Sequence, residues 1–463
     1  MVCAAALPGA AQTPFPDTPA AHLFSAWLDA FNSGDKEVLL KFLQTNRPEG
    51  VAHIDDAMGF RKQTGGFEFK KAEESTATKF TGIVKERASD QFARFTIEVE
   101  AAEPHHITKL DLRAIPTPPE FPIARMSEAE ALAALREKLE KAAAADEFSG
   151  AALVAKNGKP IFSQAYGLAD REKKIPNKLG TRFRIGSMNK MFTAVATLQL
   201  VEAGKIKLTD PIGKYLTDYP NKELASKVTI HQLLTHTGGT GDFFGPQFDA
   251  HRLELRTLQD YVKLYGNRGM EFEPGSRWAY SNYGFLLLGV LVEKVSGQNY
   301  YDYVAEHIYK PAGMISTASL AEDQSVADRS VGYMKPDGGG DWRPNKDTLP
   351  YRGTSAGGGY STVEDLLAFA NALQAHKLLN EKSTELLTTG KVETPGGGKY
   401  AYGFGETMEG GVRCFGHGGG APGMNGNLDI CPESGYIIAV LANLDPPAAQ
   451  RVARFIRSRL PEK

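Results

Sequence analysis

Between His22 and Leu43 the apolar positions Leu23, Trp27, Leu28, Phe31, Leu39, Leu40 and Phe42 fall at helical spacing, interrupted at Asn32-Ser33-Gly34-Asp35. Two short helices are predicted there. The period then changes. Phe67-Glu68-Phe69, Thr76 to Lys85, Phe92 to Glu100 and Ile107 to Ile115 read as strands between charged turns, which gives a small α+β domain over residues 21–115. Pro116, Pro118, Pro119 and Pro122 mark residues 116–126 as a linker.

The second domain, residues 127–463, opens on the capping box Ser127-Glu128-Ala129-Glu130 and a helix to about Ala145. Ala151 to Lys156 and Ile161 to Gly167 read as strands joined by Asn157-Gly158, a strong hairpin signal. Helix and long loop fill the middle. Strand patterns return at Val412 to Gly416, Asn427 to Cys431 and Tyr436 to Ala442, before an amphipathic helix over residues 448–460. The expected architecture is α+β: an antiparallel sheet built from both ends of the domain, flanked by helices, with a helical subdomain inserted between.

Composition narrows the function. Against 55 Asp+Glu stand 53 Lys+Arg, a formal charge of −2, so no electrostatic pull favours nucleic acid or anionic lipid. No apolar run is long enough to span a membrane. Residues 1–20, rich in Ala, Pro and Thr, are expected to be disordered. Val2 to Leu7 with Gly9, Ala10 and Ala11 resembles the tail of a secretory signal without its basic start, so a periplasmic or secreted location is expected, with the cytoplasm as alternative. Of three cysteines, Cys414 and Cys431 flank a glycine-rich loop. They could pair across a hairpin, but the reading taken is two separate half-buried cysteines. Metal-ligand spacing is absent, and neither metal nor cofactor is expected.

Three motifs carry chemistry. In Arg184-Ile185-Gly186-Ser187-Met188-Asn189-Lys190, Ser187 and Lys190 share a face of the first helical turn. The positive end of the helix disfavours an ammonium there, so a neutral Lys190 can activate Ser187. In Trp278-Ala279-Tyr280-Ser281-Asn282-Tyr283, Tyr280 can relay a proton to a leaving group, and Asn282 can hold a substrate amide or the lysine. In Phe415-Gly416-His417-Gly418-Gly419-Gly420, glycines let a strand edge approach substrate, and the N–H groups of Gly420 and Ser187 could form an oxyanion hole. Each motif alone is common; the three in this order are not.

From about Ser127 onward the chain resembles the serine β-lactamase and penicillin-binding-protein superfamily, in its class C, D-aminopeptidase and family VIII carboxylesterase branch. The resemblance rests on Ser187-Met188-Asn189-Lys190, Tyr280-Ser281-Asn282 and His417-Gly418-Gly419, with support from Leu233-Leu234-Thr235-His236-Thr237-Gly238-Gly239 and Gly358-Gly359-Tyr360-Ser361-Thr362. It implies an acyl-enzyme on Ser187, with Lys190 and Tyr280 as proton carriers and Asn282, His417, Gly419 and Gly420 around the substrate. His236 is expected to pack within its loop. One position departs from the family. His417 stands where its lactamases and transpeptidases usually carry Lys, and a mostly neutral imidazole is a poorer anchor for a carboxylate. Short-chain or small acyl esters are therefore the expected substrates, with weak β-lactamase activity at most; amino-acid amides, D-Ala-D-Ala peptides and β-lactams are the alternatives. Phe243, Phe244, Phe248, Trp342 and Tyr351 are candidates for an apolar pocket. The first domain vaguely resembles the nuclear-transport-factor-2-like cone fold, and packing or oligomerisation is its expected role.

Two rivals stand beside this reading. Gly353-Thr354-Ser355-Ala356-Gly357 satisfies the G-x-S-x-G pattern, with Asp365 and His376 or His417 available as partners, but it lacks a preceding strand and a following helix. The other is a penicillin- or peptidoglycan-sensing module that acylates without turning over.

Overall fold

In the computed structural model, which describes residues 15–336 and 340–462, the chain divides into two units. One comprises residues 1–122 with 336–341, the other residues 123–335 with 342–463.

In the first unit, α1 (Pro19–Ser33) and α2 (Lys36–Asn46) are separated where expected. Gly34 ends α1 at φ 70°, a conformation that suits glycine, and the Asp35 carboxylate caps α2. A third helix, α3 (Ile54–Thr64), was not predicted; its apolar stripe is short, with Ile54, Ala57 and Met58 packing only partly buried against the core. The strands β1 (Phe67–Ser75), β2 (Lys79–Glu86), β3 (Phe92–Val99) and β4 (Ile107–Ile115) form an antiparallel meander in chain order. Phe24 of α1 stacks on Phe95 of β3 with ring centroids 3.7 Å apart. Phe15 stacks on Phe69 at 4.4 Å, so packing begins inside the stretch expected to be disordered; residues 1–14 of that stretch lie outside the described residues.

The second unit begins with α4 (Glu128–Ala144), closed by the predicted capping box of Ser127 and Glu130. The hairpin β5 (Gly150–Lys156) and β6 (Lys159–Tyr166) turns at Asn157-Gly158. The helical body includes α5 (Asn189–Glu202), α6 (Asn282–Ser296) and α7 (Val363–Gln374). Then come β7 (Val392–Glu393), β8 (Lys399–Tyr400), β9 (Gly405–Glu409), β10 (Val412–Ala421), β11 (Met424–Cys431), β12 (Tyr436–Ala442) and α8 (Ala448–Arg457). The eight strands form one antiparallel sheet in the order β7-β8-β9-β10-β11-β12-β5-β6. Strands from both ends of the unit thus meet at β12 and β5, as the order of predicted elements requires. Alternate residues pack to opposite sides. Ala152, Val154, Ile438 and Val440 bury against α4 and α8, while Leu153, Ala155, Ile437 and Ala439 join the core containing α5, α6 and α7.

One expectation is corrected here. Cys414 of β10 and Cys431 of β11 form a disulfide, with Cα atoms 4.2 Å apart. The loop between them is a tight hairpin pairing Ala421 with Met424, and its register continues to Phe415 and Ile430. The cysteines are therefore direct cross-strand neighbours, close enough to bridge.

Candidate active site

Phe183-Arg184 pairs with Tyr360-Ser361, and the chain then turns through Gly186, at φ 52°, into a 3-10 turn over Gly186–Met188 that leads into α5. α5 is apolar on every side and almost wholly buried, as befits a helix at the centre of a core. Its first turn carries the fully buried Lys190, whose Nζ lies 3.2 Å from Ser187 Oγ.

Two oxygens hold the same amine: Asn282 Oδ1 at 2.7 Å and the Ala356 carbonyl at 2.5 Å. Asn282 turns its oxygen to Lys190 because its Nδ2 donates to Asp242 Oδ2 at 2.7 Å. A neutral amine has two N–H bonds and one lone pair. With both N–H bonds spent on Asn282 and Ala356, the lone pair is left for the Ser187 hydroxyl. Burial pulls Lys190 down to about 7, against the opposing charge of Asp242. The base is thus available near neutral pH.

Tyr280 contributes its ring, whose centre lies 4.6 Å from Lys190 Nζ, and a hydroxyl on which Ser187 acts electrostatically. Burial pushes that hydroxyl above the ordinary tyrosine range, and the neighbouring Ser187 partly offsets it. Tyr280 therefore keeps its proton at neutral pH. The next residue, Ser281, ties helix start to loop: its Oγ caps α6 through Gly284 N–H, donates to the Gly241 carbonyl and meets Thr240 Oγ1.

β10 carries the third motif. A Cβ on Gly419 would lie 1.9 Å from the Ile185 carbonyl, and one on Gly186 would lie 3.2 Å from Gly420 N. Only glycine backbone lets the strand come this close to the nucleophile turn, and that approach brings Gly420 N beside Gly186, the residue before Ser187. His417, next to them, is fully engaged by the protein. Its Nδ1 donates to the Gly418 carbonyl at 2.5 Å, and its Nε2 accepts from the Tyr400 hydroxyl at 3.0 Å. Burial, reinforced by the nearby Lys190, lowers its pKa to about 4, so it is uncharged at neutral pH.

Asp242, Tyr400 and the Ala356 carbonyl are site groups that sequence reasoning missed. Asp242 closes the Thr235 to Gly241 loop, and that proximity was the only available signal. His236 packs as expected: it is buried, its Nδ1 accepts from Ser281 N at 3.1 Å, and its ring centre lies 4.3 Å from that of Tyr280. The rival Ser355 is fully buried in a turn, donates to the Leu286 carbonyl and is followed by the residue that holds Lys190. Asp365 is taken by Ile315 N, Ser316 N and Thr317 Oγ1. The aromatic candidates separate. Phe243, Phe244 and Phe248 cluster together, whereas Trp342 packs with Arg171 and Lys335 and Tyr351 with Arg256.

A cleft of about 490 Å³ adjoins Trp278, Tyr280, Tyr400 and His417. No group of side chains able to hold a metal ion occurs among the described residues, and no helix there is long and apolar enough to cross a membrane.

The family model described as Beta-lactamase matches residues 135–460. A penicillin-binding protein from Bacillus halodurans is 36% identical, covering 71% of this chain and 99% of its own, with a TM-score of 0.63. An octameric penicillin-binding protein homologue from Pyrococcus abyssi is 27% identical over 72% of this chain and 78% of its own, TM-score 0.62. A D-stereospecific amidohydrolase from Streptomyces sp. is 28% identical over 70% and 97%, TM-score 0.59. The chain spans 62% to 70% of the length of the first curated relatives it matches.

Proposed function

Since the chain belongs to the Beta-lactamase family, within the superfamily of serine β-lactamases and penicillin-binding proteins, we propose that it is a serine hydrolase acting through an acyl-enzyme on Ser187, with small uncharged esters as substrates. The observation that carries the reading is the position of Lys190 Nζ, in reach of Ser187 Oγ, Asn282 Oδ1 and the Ala356 carbonyl, so that a neutral amine can donate to the last two and accept from the first. Lys190 takes the serine proton as Oγ attacks the ester carbonyl. The developing oxyanion meets the N–H groups of Ser187 and Gly420. Tyr280 gives a proton to the departing alkoxide and recovers one from the Lys190 ammonium. Water then attacks the acyl-serine, loses its proton through the same pair and releases the carboxylic acid, restoring the Ser187 hydroxyl.

The preference for an uncharged acyl group rests on His417. Both its nitrogens are occupied and it carries no charge, so a substrate carboxylate would find no cation at that position. The Cys414–Cys431 disulfide supports a periplasmic or secreted setting, since such bonds persist in oxidising compartments. A second reading, hydrolysis of D-amino-acid amides, is favoured by the likeness to the Streptomyces amidohydrolase.

A panel of short-chain nitrophenyl esters, D-amino-acid nitroanilides and nitrocefin separates these readings, with intact-protein mass spectrometry to follow the adduct. Ester turnover that Ser187→Ala abolishes and Ser355→Ala keeps is expected. A higher kcat/KM on anilides would establish the amidase instead. A stable adduct without turnover would make the protein a sensor.

A further inference from the structure

A second cavity, of about 440 Å³, lies among residues 322–332 and 345–350 with Arg184 and Leu253 in its wall. It shares no lining residue with the cleft at Tyr280 and His417. Its charge is one-sided. Arg184, Arg329 and Lys346 face a single carboxylate, Glu322. Arg184 grips that carboxylate with two bonds, Nε to Oε1 at 3.1 Å and Nη2 to Oε2 at 2.6 Å. Arg329 Nη2 shares the same Oε2 at 3.1 Å. Glu322 is thereby used up, while Lys346 is exposed and forms no ion pair among the described residues.

Two wall residues hold polar atoms without partners. Arg329 Nη1 is buried and lacks an acceptor, although the side chain is only 13% exposed. Asn345 Oδ1 is buried and lacks a donor, its Nδ2 being fixed on the Pro422 carbonyl at 2.7 Å. Leaving such groups unmatched is costly, and both residues line the cavity, where a small turn of either side chain would let a ligand satisfy it. The remaining wall is largely apolar, with Val326, Val331 and Leu349.

We propose that this cavity is a binding site for a small carboxylate that carries an N–H or O–H donor beside the acid group and a short apolar body. The oxyanion meets the excess cations at Arg329 and Lys346, the donor meets Asn345, and the apolar part lies on Val331 and Leu349. The site does not depend on the proposed hydrolysis.

The test is calorimetric titration of the full chain carrying Ser187→Ala, with N-acetylglycine, acetate and inorganic phosphate as probes. N-acetylglycine is expected to bind saturably, several-fold tighter than acetate, and more weakly as NaCl is raised. Lys346→Gln should weaken it about tenfold and Lys346→Glu should abolish it, consistent with a charged hydrogen bond. Lys346 is exposed, so these variants should fold; Arg329→Gln supplies an independent loss. Unchanged affinity in Lys346→Glu, or no saturable binding of N-acetylglycine, would overturn the site. Tighter Lys346-dependent binding of phosphate would overturn the carboxylate assignment.

Discussion

Lys190 shows how one buried side chain can decide the chemistry of a site. Desolvation takes it to about 7, so the neutral, proton-accepting form grows as pH rises through that value. The kcat/KM for an uncharged ester should therefore climb about tenfold per pH unit below pH 7 and level off above it; a flat profile across that range would remove Lys190 as the base. Lys190→Ala should lose activity nearly as completely as Ser187→Ala, because members of one catalytic unit are not additive. Retention of more than about a tenth of kcat/KM, a barrier change under about 1.4 kcal/mol, would contradict this. At His417 the prediction concerns selectivity. His417→Lys should shift preference towards acyl donors with a free carboxylate, and an unchanged ratio of charged to neutral donors would count against the role given to it. That Ser187, Lys190 and Tyr280 lie together was legible in the sequence because each sits in a short motif. Asp242 and Tyr400 were not, since their partners Asn282 and His417 lie 40 and 17 positions away, and a single carboxylate or phenol has no local signature.

Among elements, β10 and the turn before α5 depend most on each other. Gly419→Ala would drive a methyl into the Ile185 carbonyl, and the strand would have to withdraw from the nucleophile. Ester kcat/KM is expected to fall about a hundredfold or more, in line with loss of an oxyanion donor. Gly269→Ala, where nothing lies within 4 Å of the added carbon, is the control and should match wild type. The main strands and capped helices followed from periodicity and turn chemistry, as at Asn157-Gly158 and Ser127 to Glu130. α3 did not, because its apolar stripe of Ile54, Ala57 and Met58 is short and only partly buried. The pairing of Cys414 with Cys431 escaped for another reason: it depends on register, and a shift of one residue would have turned the two thiols to opposite faces. Reduction of this bond should lower the unfolding free energy by about 3 kcal/mol, the value for a loop of this length, measurable as a lower denaturant midpoint with and without reductant.

In the molecule as a whole, every residue of the proposed mechanism lies in the second unit, and each unit encloses its own buried core. A fragment comprising residues 123–463 should therefore keep ester turnover within about threefold of the full chain, and a larger loss would assign the first unit a part in catalysis. The near-neutral charge that argued against nucleic acid and lipid now reads differently, for it averages over a cavity whose walls are distinctly cationic. The change of hydrophobic period and the proline cluster lie close to the boundary of the two units at Pro122. The joining of the sheet has a further consequence, for biosynthesis. β5 and β6 leave the ribosome early, yet the register of Lys156 with Tyr436 and of Gly150 with Ala442 means that one edge of their hairpin stays unpaired until nearly all of the unit has been made. Such non-local pairing slows folding and exposes an apolar strand meanwhile. The glycines of the proposed oxyanion hole arrive on the same late segment, so from Ser187 to Gly419 the nascent chain carries the proposed nucleophile without the means to use it.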